Sequence, residues 1–283
     1  MSCPILPMLR FAVPVIALLL ASPLLAQPTQ LPDTVTMDPF IFGTMHTFRS
    51  TVLGEERTLI VKVPEGYEDT TATYPVIYVL DGSANEDYPH IAGLVQFMNM
   101  YDLLPKSIVV GIANVDRYRD FTHPSTVAKD LERLPQAGGS AKFIEFLAQE
   151  VSPMITAMYR VQGKGTIIGQ SLGGLLVTEI LFTRPELYDD HIIVSPSLWW
   201  DNGSLVSRAS DILKSRPDMT ERVYLALGEE GKEMAKGMER LVSAFKQHAG
   251  PSVKWWYVPF PEESHATILH RAVYKAFELM NPR

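Results

Sequence analysis

The stretch Thr166-Ile-Ile-Gly-Gln-Ser171-Leu-Gly-Gly-Leu-Leu-Val-Thr-Glu-Ile180 decides the fold. A short β-branched run leads into Gly169-Gln-Ser171-Leu-Gly173, and apolar residues at helical spacing follow. The pattern predicts a strand, a sharp turn and a helix, with Ser171 at the apex of the turn. Glycines two positions before and after the serine let strand and helix pass close together. The stretch therefore predicts a nucleophile elbow, with an ordinary serine in a tight turn as the alternative.

The rest of the chain alternates strand-like and helix-like segments. Apolar, strand-like runs are Tyr74–Leu80, Ser107–Asn114, His191–Val194, Arg222–Leu227 and Val253–Val258. Helix-like stretches cover residues 90–104, 140–155, 232–248 and 267–280, with Pro153 expected to divide the second, and residues 115–139 are expected to be irregular. Residues 40–63 read as an antiparallel hairpin. This order predicts an α/β fold with a mostly parallel central sheet, helices on both faces and an N-terminal antiparallel hairpin.

The N-terminus has the features of a targeting segment. Arg10 precedes an apolar run over Phe11–Leu20, and small residues follow, so residues 1–26 are predicted to be a secretory signal peptide. The run is too short to span a bilayer, although an uncleaved anchor is the alternative. Residues 27–39 are expected to be a mobile leader and residues 40–283 the catalytic domain. We therefore expect a periplasmic or secreted protein with no stable membrane span after cleavage.

The composition argues against several classes of protein. The 283 residues carry a net charge of −7 and one cysteine, Cys3, which lies in the predicted signal peptide. Because Lys and Arg form no cluster, we expect no nucleic-acid partner. The exported domain has no cysteine and hence no disulfide or thiol chemistry. No spacing of His or Cys is typical of a metal site, so we expect no metal and no other cofactor.

A serine nucleophile needs a base, and the base needs an acid that orients it. In folds with a nucleophile elbow the acid and then the histidine follow the serine along the chain. His265 lies in the loop between the last predicted strand and the last predicted helix, so it is the candidate base. An ordinary surface-loop histidine is the alternative.

The candidate acids follow the next-to-last predicted strand. Gly228-Glu229-Glu230-Gly231-Lys-Glu233 offers three carboxylates, and Glu230 is preferred because it lies within the turn just before a glycine. Glu229 is a close alternative. Glu233 is expected to begin the next helix, where acidic residues commonly only complement the helix dipole. Asp201 is a further alternative, although Asp-Asn-Gly is more simply a turn.

Two backbone amides are candidates for stabilising an oxyanion. The amide of Leu172 follows the serine directly and begins a helix whose N-terminal dipole favours negative charge. The amide of Ser83 follows the first buried strand, and Gly82 before it would let the backbone approach a substrate. A simple strand-ending turn is the alternative at Ser83.

Five short motifs add a resemblance. They are Tyr-Val-Leu-Asp81-Gly, Gly-Ile-Ala-Asn114 with Arg117, Gly-Gln-Ser171-Leu-Gly-Gly, Ser195-Pro-Ser-Leu-Trp-Trp200 and Glu263-Ser-His265. Together they resemble the esterase-D/enterochelin-esterase-like family of α/β-hydrolases over residues 40–280. The resemblance implies serine-esterase chemistry without a metal and supports Ser171, His265 and the two amides. Exported relatives cleave the lactones of iron-chelating siderophores, which implies a small-molecule ester as substrate.

Aromatic and basic residues are candidates for contacting that substrate. Trp199 and Trp200, with Tyr118 and Arg117 or Arg119, could line a cleft for an aromatic or anionic acyl group. The alternative is that the tryptophans pack between a strand and a helix.

Three functions follow from these patterns. The first is an exported serine esterase that works through an acyl-enzyme, with a Ser-His-acid triad or a dyad without the acid. The second is acyl transfer, or hydrolysis of feruloyl or acyl-carbohydrate esters, on the same fold. The third is a non-catalytic binding protein, because a fold does not fix a function.

Overall fold

The computed structural model describes residues 35–282. The signal peptide predicted for residues 1–26 and most of the predicted leader lie outside this range. One unit of the chain ends at Phe40, and its described residues, 35–40, form neither helix nor strand. The second unit, Ile41–Arg283, holds the sheet and the helices.

Within the described residues, eight strands form one sheet. They are β1 (Thr44–Arg49), β2 (Glu56–Lys62), β3 (Val76–Val79), β4 (Ile108–Ile112), β5 (Thr166–Gln170), β6 (Asp190–Val194), β7 (Arg222–Gly228) and β8 (Lys254–Phe260). Their order across the sheet is β1-β2-β4-β3-β5-β6-β7-β8. The pairs β1/β2 and β2/β4 are antiparallel, and every other pair is parallel. The mostly parallel sheet with an antiparallel N-terminal hairpin is therefore confirmed.

Ten α-helices occur between residues 35 and 282. They are α1 (Tyr88–Met100), α2 (Arg117–Asp120), α3 (Ala128–Arg133), α4 (Ser140–Phe146), α5 (Ser152–Met158), α6 (Leu172–Thr183), α7 (Trp200–Ser207), α8 (Ala209–Ser215), α9 (Lys232–His248) and α10 (Ile268–Met280). None of the helices in this range is both long and apolar enough to cross a membrane.

Two details of the helices bear on the predictions. The helix expected over residues 140–155 is divided into α4 and α5 by a π-helical turn, and Pro153 lies in the first turn of α5, where its missing N–H is tolerated. The expectation that residues 115–139 are irregular is wrong in part, because α2 and α3 lie there. Helices of four and six residues are too short to repeat an apolar face, so the sequence pattern does not reveal them.

Apolar side chains on both faces of the sheet form the core. One layer joins α1 and α10 to side chains such as Ile77, Ile168 and Ile192. The opposite layer joins α4, α6 and α9 to Tyr78 and Ile167. Because β3, β4 and β6 are buried along their whole length, their apolar runs are continuous rather than alternating. Helices thus cover both faces, as predicted.

The sheet also determines where a site can form. The parallel strands β3, β5, β6, β7 and β8 run in the same direction, so their carboxyl ends meet at one edge. The loops that leave this edge carry the serine, the histidine and the acids selected from the sequence. Ligands of open parallel sheets bind at this edge.

Candidate active site

Ser171 stands at a sharp turn between β5 and α6. Its backbone has φ 60° and ψ −119°, a conformation that residues with a Cβ rarely adopt. Its N–H donates to the Val194 carbonyl at 3.1 Å, which ties the turn to the end of β6. A Cβ at Gly169 would lie 2.4 Å from the Gly173 carbonyl oxygen, so only glycine fits there. The strand, turn and helix predicted around the serine are confirmed.

The N-terminus of α6 presents backbone amides beside this turn. The first bond of the helix runs from the Leu175 N–H to the Ser171 carbonyl at 2.9 Å, so the amides of Leu172, Gly173 and Gly174 precede the helical ladder. The aligned peptide dipoles make this end of the helix favourable for negative charge. The Leu172 amide therefore lies where the sequence predicted an oxyanion donor.

His265 and Glu230 meet at the same edge of the sheet. His265 Nδ1 lies 2.5 Å from Glu230 Oε2. The glutamate side chain is 2% exposed, whereas that of the histidine is 47% exposed. A buried carboxylate on Nδ1 orients the ring and leaves Nε2 as the nitrogen that can exchange a proton with a nucleophile.

Three donors hold the Glu230 carboxylate. Besides His265, the Ser195 hydroxyl donates to Oε1, and the Gly228 N–H donates to the same oxygen at 3.2 Å. Burial alone would raise the pKa of Glu230, but the hydrogen bonds from His265 and Ser195 outweigh burial and lower that pKa from its usual 4.5. Glu230 is therefore ionised at neutral pH, as a carboxylate that orients a histidine must be.

Backbone contacts fix the His265 loop against the neighbouring strands. The Gln170 side-chain amide donates to the His265 carbonyl oxygen. The Glu229 N–H donates to the Glu263 carbonyl at 2.8 Å. A Cβ at Gly228 would lie 2.5 Å from that Glu263 oxygen, so this close approach requires glycine. The ends of β5, β7 and β8 are thus fastened together around the histidine.

The serine, the histidine and the glutamate line one open cleft of about 470 Å³. Its lining residues are Arg133, Ser171, Ser197, Trp199, Glu229, Glu230, Met234, Ser264 and His265. The Ser171 hydroxyl lies 3.4 Å from that of Ser197, and among the described residues no hydrogen bond joins it to His265. Hydrogen bonds of this kind are often long before substrate binds. The cleft brings together the residue types that acyl transfer requires.

Comparison with known proteins agrees with this geometry. The family model described as "Putative esterase" matches residues 50–250. The chain belongs to this esterase family. Among curated proteins, it is 28% identical over 228 residues to ferri-bacillibactin esterase BesA of Bacillus subtilis, a match that covers 72% of this chain and 78% of that protein. The family makes this protein an ester hydrolase.

Solved structures assign the fold of the esterase. An IroE-like serine hydrolase from Shewanella oneidensis matches with a TM-score of 0.78 and 25% identity, covering 84% of this chain and 80% of that one. The BES protein from Bacillus cereus matches with a TM-score of 0.76 and 25% identity, covering 89% of this chain and all of that one. The esterase is therefore an α/β-hydrolase, as the sequence predicted.

The alternative acids of the esterase lie in different surroundings. Glu229 lines the cleft, but among the described residues it is its backbone N–H, not its carboxylate, that makes a hydrogen bond. Glu233 lies in the first turn of α9. Asp201 Oδ1 accepts from the Thr126 N–H at 2.8 Å and from two hydroxyls, so it fixes a loop rather than the histidine. Of the four carboxylates, only Glu230 lies within hydrogen-bond distance of His265 among the described residues.

Ser83, the second predicted oxyanion donor, is engaged elsewhere. Its N–H donates to Glu86 Oε2 at 3.2 Å. Ser83 is also absent from the described residues that line the cleft. The Gly82 N–H before it donates to the Ile112 carbonyl at 3.0 Å, which holds the turn after β3 against β4. In this arrangement neither amide is free to face a substrate.

Two of the substrate-contact candidates are arginines that pair with carboxylates. Arg117 makes a bidentate pair with Asp81, at 2.6 and 3.1 Å. Arg119 pairs with Glu55 and Asp120. These pairs join loops to the sheet, and neither arginine is among the described cleft residues. The expectation that either contacts substrate does not fit this placement.

The third candidate, Trp200, belongs to the core. Its side chain is fully buried, and its Nε1–H donates to the His123 carbonyl at 2.8 Å. The packing alternative therefore describes Trp200, because a side chain with no exposed surface cannot touch substrate. Its neighbour Trp199 is half-buried and lines the cleft.

Three residues of the site were missed in the sequence. Ser195 fixes the glutamate, Gln170 fixes the histidine loop, and Arg133 forms one wall of the cleft together with Trp199, which the sequence had offered as a lining residue. Ser195 lies within the quoted Ser-Pro-Ser-Leu-Trp-Trp motif, directly after a buried strand, and that position was the available signal. Arg133 had no such signal, because it lies in a short helix far from every motif.

Proposed function

We propose that this esterase is a serine hydrolase in which Ser171 is the nucleophile, His265 the base and Glu230 the orienting acid. The 2.5 Å contact between His265 Nδ1 and the buried Glu230 carboxylate, in the same cleft as the strained serine, carries the proposal. A serine hydroxyl is a poor nucleophile until a base removes its proton, and this pair supplies an oriented base.

The proposed reaction uses these groups in turn. Ser171 Oγ attacks the ester carbonyl carbon while its proton passes to His265 Nε2, and the Glu230 carboxylate stabilises the imidazolium that forms. The Leu172 N–H stabilises the oxyanion at the N-terminus of α6. His265 then gives the proton to the departing alcohol. Water, deprotonated by the same histidine, releases the acid and restores the serine.

The Ser83 amide is the proposed second donor to the oxyanion. It can take this role only after Glu86 Oε2, now 3.2 Å from the amide nitrogen, moves away. Both residues lie in the turn between β3 and α1, and because Glu86 is exposed, a movement of its side chain disturbs no core side chain. Binding of substrate would then complete the oxyanion hole.

The substrate class and the location rest on different support. The relative BesA is named as an esterase of ferri-bacillibactin, and solved relatives include siderophore hydrolases, so a siderophore ester is the proposed substrate. The signal-peptide pattern of residues 1–26 supports export to the periplasm or medium.

The nucleophile is tested by Ser171→Ala, with Ser197→Ala as the matched control from the same cleft. Ser171→Ala should abolish labelling by a fluorophosphonate and lower turnover of 4-nitrophenyl acetate by at least about a thousandfold. Ser197→Ala should keep the label on Ser171, as located by mass spectrometry. Circular dichroism checks that both variants fold. Retained turnover in folded Ser171→Ala, or a label on Ser197, would exclude Ser171 as the nucleophile.

A further inference from the structure

One wall of the cleft is a cation stacked on an aromatic ring. Arg133 ends α3, and its guanidinium carbon lies 5.3 Å from the centre of the Trp199 ring. Both side chains line the cleft that contains Ser171 and His265. A guanidinium over the face of tryptophan is attracted by the negative face of the ring. The contact therefore holds a positive charge in the wall of the cleft that contains Ser171.

This guanidinium differs from its neighbours because it has no acidic partner. Arg117 and Arg119 are each paired with carboxylates. Among residues 35–282, the Arg133 guanidinium makes no ion pair and no hydrogen bond, and the residue is exposed. The N–H groups of a guanidinium form a planar fork that fits a carboxylate or a pair of neighbouring oxyanions. The contact with the Trp199 ring uses no N–H group in a hydrogen bond, so that fork is available.

The other charges that line the cleft, and the net charge of the whole chain, are negative. Glu229 and Glu230 also line the cleft, and the whole chain carries a net charge of −7, so the surroundings repel anions. Arg133 is the one cationic side chain among the described residues that line the cleft. Among the described side chains of the cleft, Arg133 is therefore the one that offers an anionic ester a favourable charge interaction. The Trp199 ring offers apolar area to a flat group bound at the same place.

We propose that Arg133 and Trp199 select esters that carry a planar anionic group, a carboxylate or phenolate, close to the scissile bond. The inference rests on the proposed serine-esterase function, and it adds which part of the substrate is recognised and by which residues. Arg133 is a substrate-binding residue in this proposal and takes no part in proton transfer.

The test compares a charged and a neutral ester of matched length. Mono-4-nitrophenyl succinate carries the anion on the acyl side, and 4-nitrophenyl pentanoate is its neutral counterpart. A second pair, 3-carboxyphenyl acetate and phenyl acetate, carries the anion on the alcohol side. Arg133→Gln should raise KM about tenfold, which is the effect of about 1.4 kcal/mol, for the charged member of at least one pair. Neutral esters should stay within about twofold, and kcat should change little.

Two further variants separate charge from structure. Arg133→Lys keeps the charge without the planar fork and should recover part of the loss. Lys214→Gln removes an equal charge from α8, outside the cleft, and should leave every ratio unchanged. Raising the salt concentration should weaken the preference of the wild type for the charged ester and leave that of Arg133→Gln unaffected.

The two proposals fail in different ways. If the wild type hydrolyses the esters but Arg133→Gln keeps the same ratio of charged to neutral turnover in both pairs, the role of Arg133 is wrong and the serine-esterase proposal stands. If the wild type hydrolyses none of the four esters and Ser171 takes no label, the serine-esterase proposal is wrong, and this inference fails with it.

Discussion

Two histidine–glutamate pairs lie near the nucleophile elbow, and they differ in every respect that matters for catalysis. In the cleft, His265 Nδ1 is 2.5 Å from Glu230. In the interior, His123 Nδ1 is 3.9 Å from Glu179 Oε2, too far for a hydrogen bond, and both atoms are buried with no hydrogen-bond partner among residues 35–282. The same residue types therefore form a hydrogen-bonded pair in the cleft, whereas in the interior they lie close together without a hydrogen bond.

Their surroundings push the charges in opposite directions. Burial raises the pKa of Glu179 and lowers that of His123, so both groups of the interior pair are shifted towards their uncharged forms. Glu230 is also buried, but donors from His265 and Ser195 lower its pKa. The comparison shows that donors outweigh burial and lower the pKa of the carboxylate at Glu230, whereas burial dominates and raises the pKa at Glu179.

The largest loss of kcat/KM should come from Glu230→Gln, which breaks the His265–Glu230 pair in the cleft. The amide keeps the size of the side chain but removes the charge that stabilises the imidazolium. We expect kcat/KM for 4-nitrophenyl acetate to fall about 10³- to 10⁴-fold, the scale of such a change in the best-studied serine hydrolases. Steady-state kinetics at neutral pH measures the loss.

Three matched substitutions serve as controls for this prediction. Glu229→Gln, Glu233→Gln and Asp201→Asn each remove one of the alternative carboxylates, and each should stay within about threefold of the wild type. If one of these variants loses most of its kcat/KM while Glu230→Gln stays within about threefold of the wild type, the acid has been assigned to the wrong residue. If all four are mild, the enzyme works as a Ser–His dyad.

Local sequence patterns predicted the fold and the nucleophile elbow because both depend on interactions between residues that are close in the sequence. A β-branched run, a glycine-flanked serine and a helical apolar face each act over a few residues, and the continuous apolar runs report burial in a parallel sheet. The choice among Glu229, Glu230 and Glu233 stayed open because it depends on where Gly228 meets the Glu263 backbone, a contact between two loops.

The expectation that Arg117 or Arg119 contacts substrate does not fit the structure for a related reason. Arg117 and Arg119 lie in a polar segment that reads like a binding loop, yet partners distant in the sequence neutralise them, Asp81 for one and Glu55 for the other. Nothing in the sequence marks Arg133 as unpaired. Which arginine remains free is a property of the tertiary structure and could not be read from spacing or composition.

A moderate effect should follow from weakening the cleft pair with Ser195→Ala. This buried serine donates to Glu230 Oε1, and a hydrogen bond to a charged group contributes about 1.5 to 3 kcal/mol. We expect kcat/KM to fall roughly ten- to a hundredfold. The proton on His265 Nδ1 should also shift upfield in the NMR spectrum, a change that simple destabilisation would not produce.

Ser197→Ala is the control for Ser195→Ala. It removes a hydroxyl from the same loop without touching the Glu230 carboxylate, so it should leave that proton resonance in place. An unchanged resonance in Ser195→Ala, with the variant folded, would show that Ser195 does not position the acid.

The smallest effect on activity should come from the interior pair, through Glu179→Gln. Glu179 does not line the cleft, so kcat/KM should stay within about twofold of the wild type. Stability should respond instead. Because burial raises its pKa, folded Glu179 keeps its proton above pH 4.5, where the unfolded chain releases it. Between these two pKa values the folded state binds more protons, so the free energy of unfolding falls as pH rises.

Glutamine does not titrate, so Glu179→Gln should remove this fall in the free energy of unfolding as pH rises. We expect its thermal midpoint, relative to the wild type, to be higher at pH 8 than at pH 5. Glu145→Gln on the exposed face of α4 should show no such pH-dependent difference. If Glu179→Gln instead loses activity like Glu230→Gln, the two pairs are coupled, and their separation into a catalytic and a structural pair is wrong.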